Sequence, residues 1–436
     1  MMFRQTRTAT IAIAAVIALG ATAGCSSAGT AEPAETLDPD AEVTLDFSFW
    51  GNDARAVLYE EAIALFNEEH PNITVRSSFL AWAEYWEKRQ TEAAGGGLPD
   101  VMQTDINYLR QYDQNGLLLD LDPYLGSIID GEAFDDSVLA NGELDDKLLG
   151  ITISTNALGM FVNPGLAEEV GIEAFEGGTW DDYEAWLEEA RASAGAKGLD
   201  VWGGSNFAAS LQNFEIRQRS KGENLFTDAG EVNFTKDDLR EYWALSEPLF
   251  EDDLVTPTQR NAEFAPLTAF DGAVQLSEIT WDTMGSGYLA NLGEAYPALE
   301  VQAPPVTEPG AKDLYKKAGM LLSASSNTDQ PAAAATLIDF LANDPGVAEI
   351  FGTSRGIPAS ETALEGAVIE GINAQVLEYE QSIADRLGDA PPLPVVGYGS
   401  IDLEFRTLSE EIGYGTITVD EAVDRLFTEL DVILAG

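Results

Sequence analysis

Cysteine and histidine are almost absent from this chain, and their scarcity removes several kinds of site. The 436 residues include one cysteine, Cys25, and one histidine, His70. Metal sites built from several thiolates or histidines are therefore excluded, and a single histidine cannot serve the usual catalytic triads. His70 lies beside Pro71, where a helix is predicted to end in a turn, so we interpret it as an exposed residue without a functional role.

Basic residues are also scarce. The chain has 23 lysines and arginines against 75 aspartates and glutamates, which gives a formal net charge of −52. Nucleic-acid binding is disfavoured because phosphate contacts need clustered lysine and arginine, and the same field disfavours anionic ligands and direct adhesion to anionic lipid. We interpret the acidic runs at 135–136, 145–146 and 251–253 as solvated faces. Calcium ligation stays open there, although the spacing does not follow the EF-hand pattern.

Long apolar runs are missing as well. Residues 11–21 (IAIAAVIALGA) are too few to cross a bilayer as a helix, and no later stretch reaches the roughly 18 consecutive apolar residues that a span needs. The run follows Arg4 and Arg7 and precedes Ala23 and Gly24, which is the order typical of a cleavable export signal. We therefore predict a signal peptide at residues 1–24.

The four residues from Thr22 to Cys25 resemble the lipobox of bacterial lipoproteins. The resemblance implies that Cys25 becomes the lipidated first residue of the mature chain, on the extracytoplasmic face of the cell membrane, which leaves no free cysteine for catalysis. Residues 25–42 then form a tether, because the stretch is rich in Ser, Ala, Gly, Pro, Glu and Asp and has no apolar period. The alternative is ordinary signal cleavage nearby, with Cys25 incidental.

The first hundred residues of the mature chain alternate between strand and helix patterns. Val43, Leu45, Phe47 and Phe49 alternate with polar residues and predict a strand that ends at Trp50. A helix capped by residue 52 or 53 follows, and then a strand at 73–75, a helix at 82–94 and a buried strand near 101. Repeated strand, helix, strand units predict an α/β fold with a parallel sheet.

Several short motifs, taken in their order along the chain, resemble the family 1 extracellular solute-binding proteins. These are lipoprotein receptors that deliver oligosaccharides and related solutes to ABC importers. The resemblance covers about residue 43 to the C-terminus and rests on Trp50-Gly51, residues 65–75, 97–101, 116–118, 121–122 and 149–151, Asn156, Asn163, residues 178–183 and 270–274, Trp281, and residues 332–341 and 355–358.

That resemblance implies a two-lobed periplasmic-binding-protein-like fold of the class II type, with hinge-linked α/β lobes and C-terminal helices. The first lobe would comprise residues 43–152 plus about 306–345, and the second would comprise 153–305 plus about 346–436. The chain would cross the hinge near 150–155, 302–307 and 343–358. Capping residues Thr179 and Thr418 independently predict the starts of two amphipathic helices.

A sugar-binding cleft needs flat aromatic rings and planar polar groups, because a sugar ring has apolar faces and a rim of hydroxyls. Core packing is the alternative for each tryptophan, and a cap, a turn or an ion pair is the alternative for the polar residues. The candidate ligand-binding residues are Trp50, Asn52, Asp53, Trp82, Asp105, Asn156, Trp202, Trp281, Asp282 and Arg355. Trp86, Trp186 and Trp243 fall on apolar helix faces and are predicted to be buried.

The resemblance implies a receptor that captures a mono- or oligosaccharide by hinge closure, without catalysis and without a cofactor. Its partners would be the carbohydrate ligand, the permease subunits of an ABC transporter and the membrane through the lipid anchor; it would not bind nucleic acid and would act as a monomer. Two alternatives stay open. One is a membrane-anchored hydrolase or lyase that uses two carboxylates, and the other is the same fold with a peptide, a polyol phosphate or a cationic solute as ligand.

Overall fold

A computed structural model describes residue 37 and residues 41–265 and 267–435. Contacts divide the chain into two units, residues 1–33 and residues 34–436, and only the second contains described residues. The predicted signal peptide, Cys25 and nearly all of the predicted tether lie outside the described residues. The fold below is therefore that of the second unit.

The strands of the described residues lie in two main sheets and one small hairpin. In chain order they are β1 (Val43–Trp50), β2 (Ile73–Leu80), β3 (Val101–Thr104), β4 (Glu143–Leu144), β5 (Lys147–Leu148), β6 (Ile151–Asn156), β7 (Leu158–Val162), β8 (Trp202–Gly204), β9 (Gln275–Trp281), β10 (Glu300–Gln302), β11 (Lys317–Ala324) and β12 (Ile357–Pro358).

Helices connect and cover these strands. They are α1 (Asp53–Glu69), α2 (Trp82–Gly95), α3 (Ile106–Gln114), α4 (Asp136–Leu139), α5 (Pro164–Val170), α6 (Trp180–Lys197), α7 (Leu211–Ser220), α8 (Lys236–Ala244), α9 (Ser246–Glu251), α10 (Thr258–Ala262), α11 (Gly285–Leu292), α12 (Pro331–Asn343), α13 (Pro345–Phe351), α14 (Glu361–Gly366), α15 (Ile372–Ser382), α16 (Tyr398–Gly413) and α17 (Val419–Leu434). Short 3-10 turns, including Asp282–Met284, join several of them.

The first sheet has the strand order β12-β6-β11-β3-β1-β2. β1 is parallel to β2 and to β3, which confirms the predicted parallel arrangement, while β11 is antiparallel to both β3 and β6. Val101 and Met102 are neighbours on β3 but belong to different buried clusters, because alternate residues of a strand point to opposite faces. Helices α1 and α12 contribute to one cluster and α2 and α3 to the other, so both faces of the sheet are covered.

The second sheet has the strand order β10-β7-β9-β8. It packs against α6, α7, α8, α16 and α17 in one buried cluster, and Phe161, Phe270 and Tyr288 form another. Ala157 alone separates β6, in the first sheet, from β7, in the second. One residue therefore carries the chain from one sheet to the other.

Helix starts follow the predicted capping residues. Asn52 caps α1, with its Oδ1 accepting from the Arg55 N–H at 3.0 Å. Thr179 and Thr418 cap α6 and α17, and both helices begin with a complete capping box. A single cap of this kind is worth about 1 kcal/mol.

The C-terminal segment differs from the predicted lobe boundary. β12 pairs with β6 in the first sheet, and α13 and α14 pack beside α12. The chain reaches the surroundings of the second sheet only with α15, which packs against β10 and α11. The pairing of Ile357 with Thr155 thus keeps the end of the predicted crossing at 343–358 on the first sheet.

Neither a membrane-crossing helix nor a metal-binding cluster is found in the described part of the chain. No helix there combines the length and apolarity that a bilayer span requires. No three His, Cys, Asp or Glu side chains of those residues converge as ligands for an ion.

Candidate functional site

A cavity of about 230 Å³ lies where elements of the two sheets face each other. From the first sheet side come Asn107 of α3 and Lys317 of β11, and from the second come Glu215 of α7 and Trp281 of β9. The other lining residues are Ile106, Asn141, Gln212, Asn224, Leu225, Phe226, Tyr315, Pro391, Pro392, Leu393, Pro394, Tyr398, Gly399 and Asp402. The cavity is large enough for about one sugar ring and is lined by both sides of the fold.

Aromatic rings form part of its wall. The centroids of Trp281 and Tyr315 are 6.3 Å apart, with the rings nearly perpendicular, and the Lys317 Nζ lies 5.3 Å from the Trp281 centroid. Tyr398 and Phe226 line the cavity as well. The cavity thus offers aromatic surface on which the apolar face of a ring can stack, with an ammonium group beside it.

A buried carboxyl group stands behind these rings. The Tyr315 hydroxyl donates to Glu215 Oε2 at 2.6 Å, and the Arg219 guanidinium lies 4.9 Å from the Tyr315 centroid. Burial raises the pKa of Glu215, and the hydrogen bond from Tyr315 and the charges of Arg219 and Lys317 oppose that rise. Glu215 can accept hydrogen bonds from ligand hydroxyls while its own charge is partly balanced.

A second cavity of about 700 Å³ adjoins the first and shares Gln212, Trp281 and Asp402 with it. Its walls are rich in hydroxyl, amide and carboxyl groups: Ser205, Asn206, Ser210, Asn213, Thr256, Thr258, Asn261, Thr268, Glu278, Thr280, Ser409 and Glu410. Burial raises the pKa of Glu278 to about 7. Trp281 therefore stands between an aromatic cavity and a polar one.

A third cavity, of about 440 Å³, adjoins the first on another side through Asn224 and residues 391–393. Asp145 and Asp146, which belong to one of the acidic runs, line it together with Arg110. Arg110 is held by the carbonyl oxygens of Asp228 and Leu393, each at 3.0 Å. The first cavity thus shares lining residues with both of the others, and the three cavities with their walls are called the groove below.

Of the ten predicted site residues, Trp281 alone lines these cavities. Trp50 and Trp82 instead join an aromatic cluster of the first sheet, where their ring centroids are 4.8 Å apart. Trp86 completes this cluster at 5.9 Å from Trp50 and 5.7 Å from Trp82, and it stacks on Tyr108 at 3.6 Å. Trp82 is 44% exposed, but its ring packs on the other tryptophans and does not line the groove.

Trp202 lies within the second sheet and away from the groove. Its Nε1 donates to Asp253 Oδ1 at 3.0 Å, and the Arg191 guanidinium covers the ring at 4.7 Å. The side chain is buried, so the structure favours the packing alternative for this residue. Trp86, Trp186 and Trp243 are also buried, as predicted.

Asn52, Asp53 and Asp105 stand at helix starts. Asn52 caps α1, and Asp53 is exposed in the first turn of the same helix. Asp105 caps α3, and its Oδ1 accepts from the Asn107 N–H at 2.9 Å. Asp105 does not line the first cavity itself. It holds the backbone of Asn107, and Asn107 lines that cavity.

Asp282 and Asn156 lie at the junction of the two sheets. Asp282 Oδ2 accepts from the Ala157 N–H at 2.9 Å, and the Asp282 N–H donates to the Ala157 carbonyl at 3.0 Å. Glu380 of α15 faces Asp282 and accepts from Thr155 at 3.3 Å, with Lys316 Nζ at 3.8 Å. Burial raises the pKa of both carboxyl groups, and their proximity raises that of Asp282 further. This arrangement supports the junction and does not line the groove.

Arg355 is buried beneath the first sheet. Its guanidinium stacks on Phe351 at 3.9 Å and donates to the Leu341 carbonyl at 3.3 Å, and burial lowers its pKa. Residues 352–356 have the Gly-x-Ser-x-Gly spacing of a hydrolase nucleophile, with Ser354 at its centre. That motif needs a strand-to-helix turn, whereas these residues follow α13 and precede β12, so the arrangement is reversed.

Sequence reasoning missed Glu215, Tyr315, Lys317 and Tyr398. They come from separate parts of the chain and meet only in the folded protein. Two signals were present in the sequence: a pair of lysines at 316–317 in a strongly acidic chain, and the proline-rich segment 391–394.

Comparison with known proteins places this groove in context. Residues 61–374, more than half of the chain, match a family described as bacterial extracellular solute-binding protein. A binding protein of Brucella abortus strain 2308 is 28% identical over 158 residues, which are 36% of this chain and 36% of that protein. The chain thus spans about a third of the length of the curated relatives that it matches.

Solved structures share the fold over nearly the whole chain. A family 1 extracellular solute-binding protein from Alicyclobacillus acidocaldarius superposes with a TM-score of 0.75 at 24% identity, covering 92% of this chain and 100% of that one. A periplasmic oligogalacturonide-binding protein from Yersinia enterocolitica gives a TM-score of 0.75 at 23% identity, covering 90% and 99%. The GacH receptor of Streptomyces glaucescens, solved with acarbose, gives 0.67 at 18% identity, covering 91% and 100%. These matches establish the two-lobed solute-binding fold.

Proposed function

Since the chain belongs to the bacterial extracellular solute-binding protein family, we propose that it captures a mono- or oligosaccharide for an ABC importer. The observation that carries this proposal is the groove around Trp281. Aromatic rings there face a buried carboxyl group and several amides contributed from both sheets. Stacking combined with planar hydrogen-bonding groups is what recognition of a sugar requires.

The ligands of proteins with the same fold support a saccharide. The Yersinia protein binds oligogalacturonide, and the Streptomyces receptor binds acarbose. The cavity of about 700 Å³ that Trp281 also lines has room for more than one ring, which favours an oligosaccharide.

We place ligand capture at the junction between the sheets. Ala157 is the only residue between β6 and β7, so a small change of its backbone angles would rotate one sheet against the other. A ligand that contacts Lys317 on one side and Trp281 on the other stabilises the closed arrangement. In this proposal the first lobe comprises residues 43–156 with about 306–358, because β6 and β12 belong to the first sheet, and the second lobe comprises residues 158–305 with about 359–436.

The anchor and the partners complete the proposal. Residues 1–24 are the signal peptide and Cys25 carries the lipid, which holds a monomeric, non-catalytic receptor at the extracytoplasmic face near its permease. Mass spectrometry of the mature N-terminus tests the lipid, and an unmodified start elsewhere contradicts it.

Isothermal titration against neutral, amino and uronic mono- and oligosaccharides tests the function. We expect saturable binding of at least one sugar, which chromatography then recovers intact. Release of a smaller product supports the enzyme alternative instead. Binding of a peptide with no response to any sugar would show the same fold serving a different solute.

A further inference from the structure

Glu278 differs from Glu215 and Asp402 in having no positive partner among the described residues. It lies on β9, three residues before Trp281, and faces the cavity of about 700 Å³. Its Oε1 accepts from the Ser205 hydroxyl at 3.2 Å, and its Oε2 accepts from the Gln275 side-chain amide. Both donors are neutral.

The charged groups around Glu278 do not compensate it. Among the described residues, the charge that acts on its pKa is that of Asp271, which has the same sign. By contrast, Arg219 and Lys317 act on Glu215, and Arg406 Nη2 lies 2.8 Å from Asp402 Oδ2. Glu278 is therefore a largely buried carboxyl group without a cation, an arrangement that costs free energy unless a cation arrives with the ligand.

The other charged residues of this cavity also favour a cationic ligand. Glu278, Asp402 and Glu410 are its acidic residues, and Arg406, already engaged by Asp402, is its basic one. An anionic ligand would meet uncompensated carboxylates there. A ligand with an ammonium group would meet a carboxyl group that has no cationic partner, in a cavity that Trp281 also lines.

Building on the proposed function, we propose that the transported saccharide carries an amino group and that its ammonium binds Glu278 while the sugar ring packs on Trp281. Amino sugars then bind more tightly than neutral sugars of the same linkage, and uronic sugars bind least. A hydrogen bond between charged groups in a partly buried site corresponds to about tenfold or more in affinity.

Proton release provides a second signature. At pH 7 a group with a pKa of about 7 is about half protonated, so Glu278 must lose its proton to pair with an ammonium. Loss of the Glu278 proton on binding at pH 7 should contribute up to about 0.5 proton released, from which the uptake by the neutral fraction of the sugar amine is subtracted. A neutral sugar has no charge that would drive this release.

The test is isothermal titration at pH 7 with three β-1,4-linked disaccharides of gluco configuration, namely the glucosamine dimer, cellobiose and cellobiouronic acid, followed by an α-linked set. Each titration is run in two buffers of different ionisation enthalpy to count protons. In Glu278→Gln, the ratio of amino to neutral affinity should fall from about ten to about one, and proton release should disappear. Glu300→Gln, which removes an exposed charge on β10 of the same sheet, should keep both the ratio and the release.

The outcomes separate the two proposals. Equal affinity for the amino and neutral sugars without proton release, or tighter binding of the uronic sugar, overturns the inference while the sugar-binding function stands. A ratio that survives in Glu278→Gln also overturns it, because the amine then binds elsewhere. Absence of binding by every sugar overturns the proposed function and the inference together.

Discussion

Two groups of aromatic residues occupy comparable places in the two sheets but differ in what surrounds them. In the first sheet, Trp50, Trp82 and Trp86 pack on one another and on Tyr108. In the second, Trp281 meets Tyr315 at 6.3 Å and borders two cavities. A tryptophan at the end of a strand is therefore not a binding residue by its position alone. What distinguishes Trp281 is that cavities, and not other tryptophans, lie against it.

Carboxyl groups show the same contrast. Asp282 and Glu380 are turned towards each other and towards the backbone at Ala157, whereas Glu215 and Glu278 face cavities. Groups that satisfy each other inside the protein should affect stability, and groups that face a cavity should affect binding. Three substitutions test that division.

Replacing Trp86 by alanine should have the largest effect of the three, and this effect should be on the stability of the fold. Its ring is buried and stacks on Tyr108, so truncation leaves a cavity and should lower the free energy of unfolding by about 3–5 kcal/mol. Urea denaturation measures this. Trp82→Ala, at an exposed ring of the same cluster, should cost less than about 1 kcal/mol. Loss of sugar affinity in folded Trp86→Ala protein would contradict a purely structural role for the tryptophans of the first sheet.

Replacing Trp281 by alanine should have the second largest effect, and this effect should be on the affinity for sugar. Loss of the stacking surface should weaken sugar binding about 10- to 100-fold, measured by isothermal titration, because truncating an aromatic residue that anchors a ligand costs about 1–2 kcal/mol or more. The melting temperature should shift less than in Trp86→Ala. Unchanged affinity would remove Trp281 from the site and make both tryptophan groups structural.

Replacing Glu380 by glutamine should have the smallest effect, and one that depends on pH. Burial raises the pKa of Glu380 and of Asp282, so the folded state holds protons more tightly than the unfolded state. The free energy that this pair contributes to folding is fully present below the pKa of the two carboxyl groups in the unfolded state, about 4–4.5. It is lost as the pH rises through their pKa values in the folded state. The variant should therefore lose less stability than the parent protein between pH 5 and pH 8.

Urea denaturation at the two pH values measures this difference, and Glu378→Gln, at an exposed carboxylate of the same helix, is the control. A variant that loses as much stability as the parent, or more, would contradict the assignment of Glu380 to the internal pair.

Much of the fold could be predicted because its signals are local. The alternation in β1 and the capping residues Thr179 and Thr418 each act within a few neighbours, and the structure confirms them. The site is not local in this sense. Glu215 and Tyr315 are 100 positions apart and meet through a hydrogen bond that no sequence period indicates.

The predicted site residues show where prediction of the site from sequence stops. Trp50 and Trp281 both follow an apolar strand, and sequence alone could not tell which ring would be covered by others. Trp50 is covered because α2 and α3 bring Trp82, Trp86 and Tyr108 to the same place. The place of the short β12 could not be predicted for a similar reason, since it depends on pairing with β6, about 200 residues earlier in the chain.

The direct link between Trp281 and the junction has an optical consequence. The next residue, Asp282, exchanges two hydrogen bonds with Ala157, and Lys317, the first residue of β11, lies over the indole at 5.3 Å. Rotation at Ala157 would change the distance between this ammonium and the ring, and so the local electric field on the indole. In the proposed receptor, the contribution of Trp281 to the emission spectrum would then follow the angle between the sheets, on top of the contribution of the seven other tryptophans.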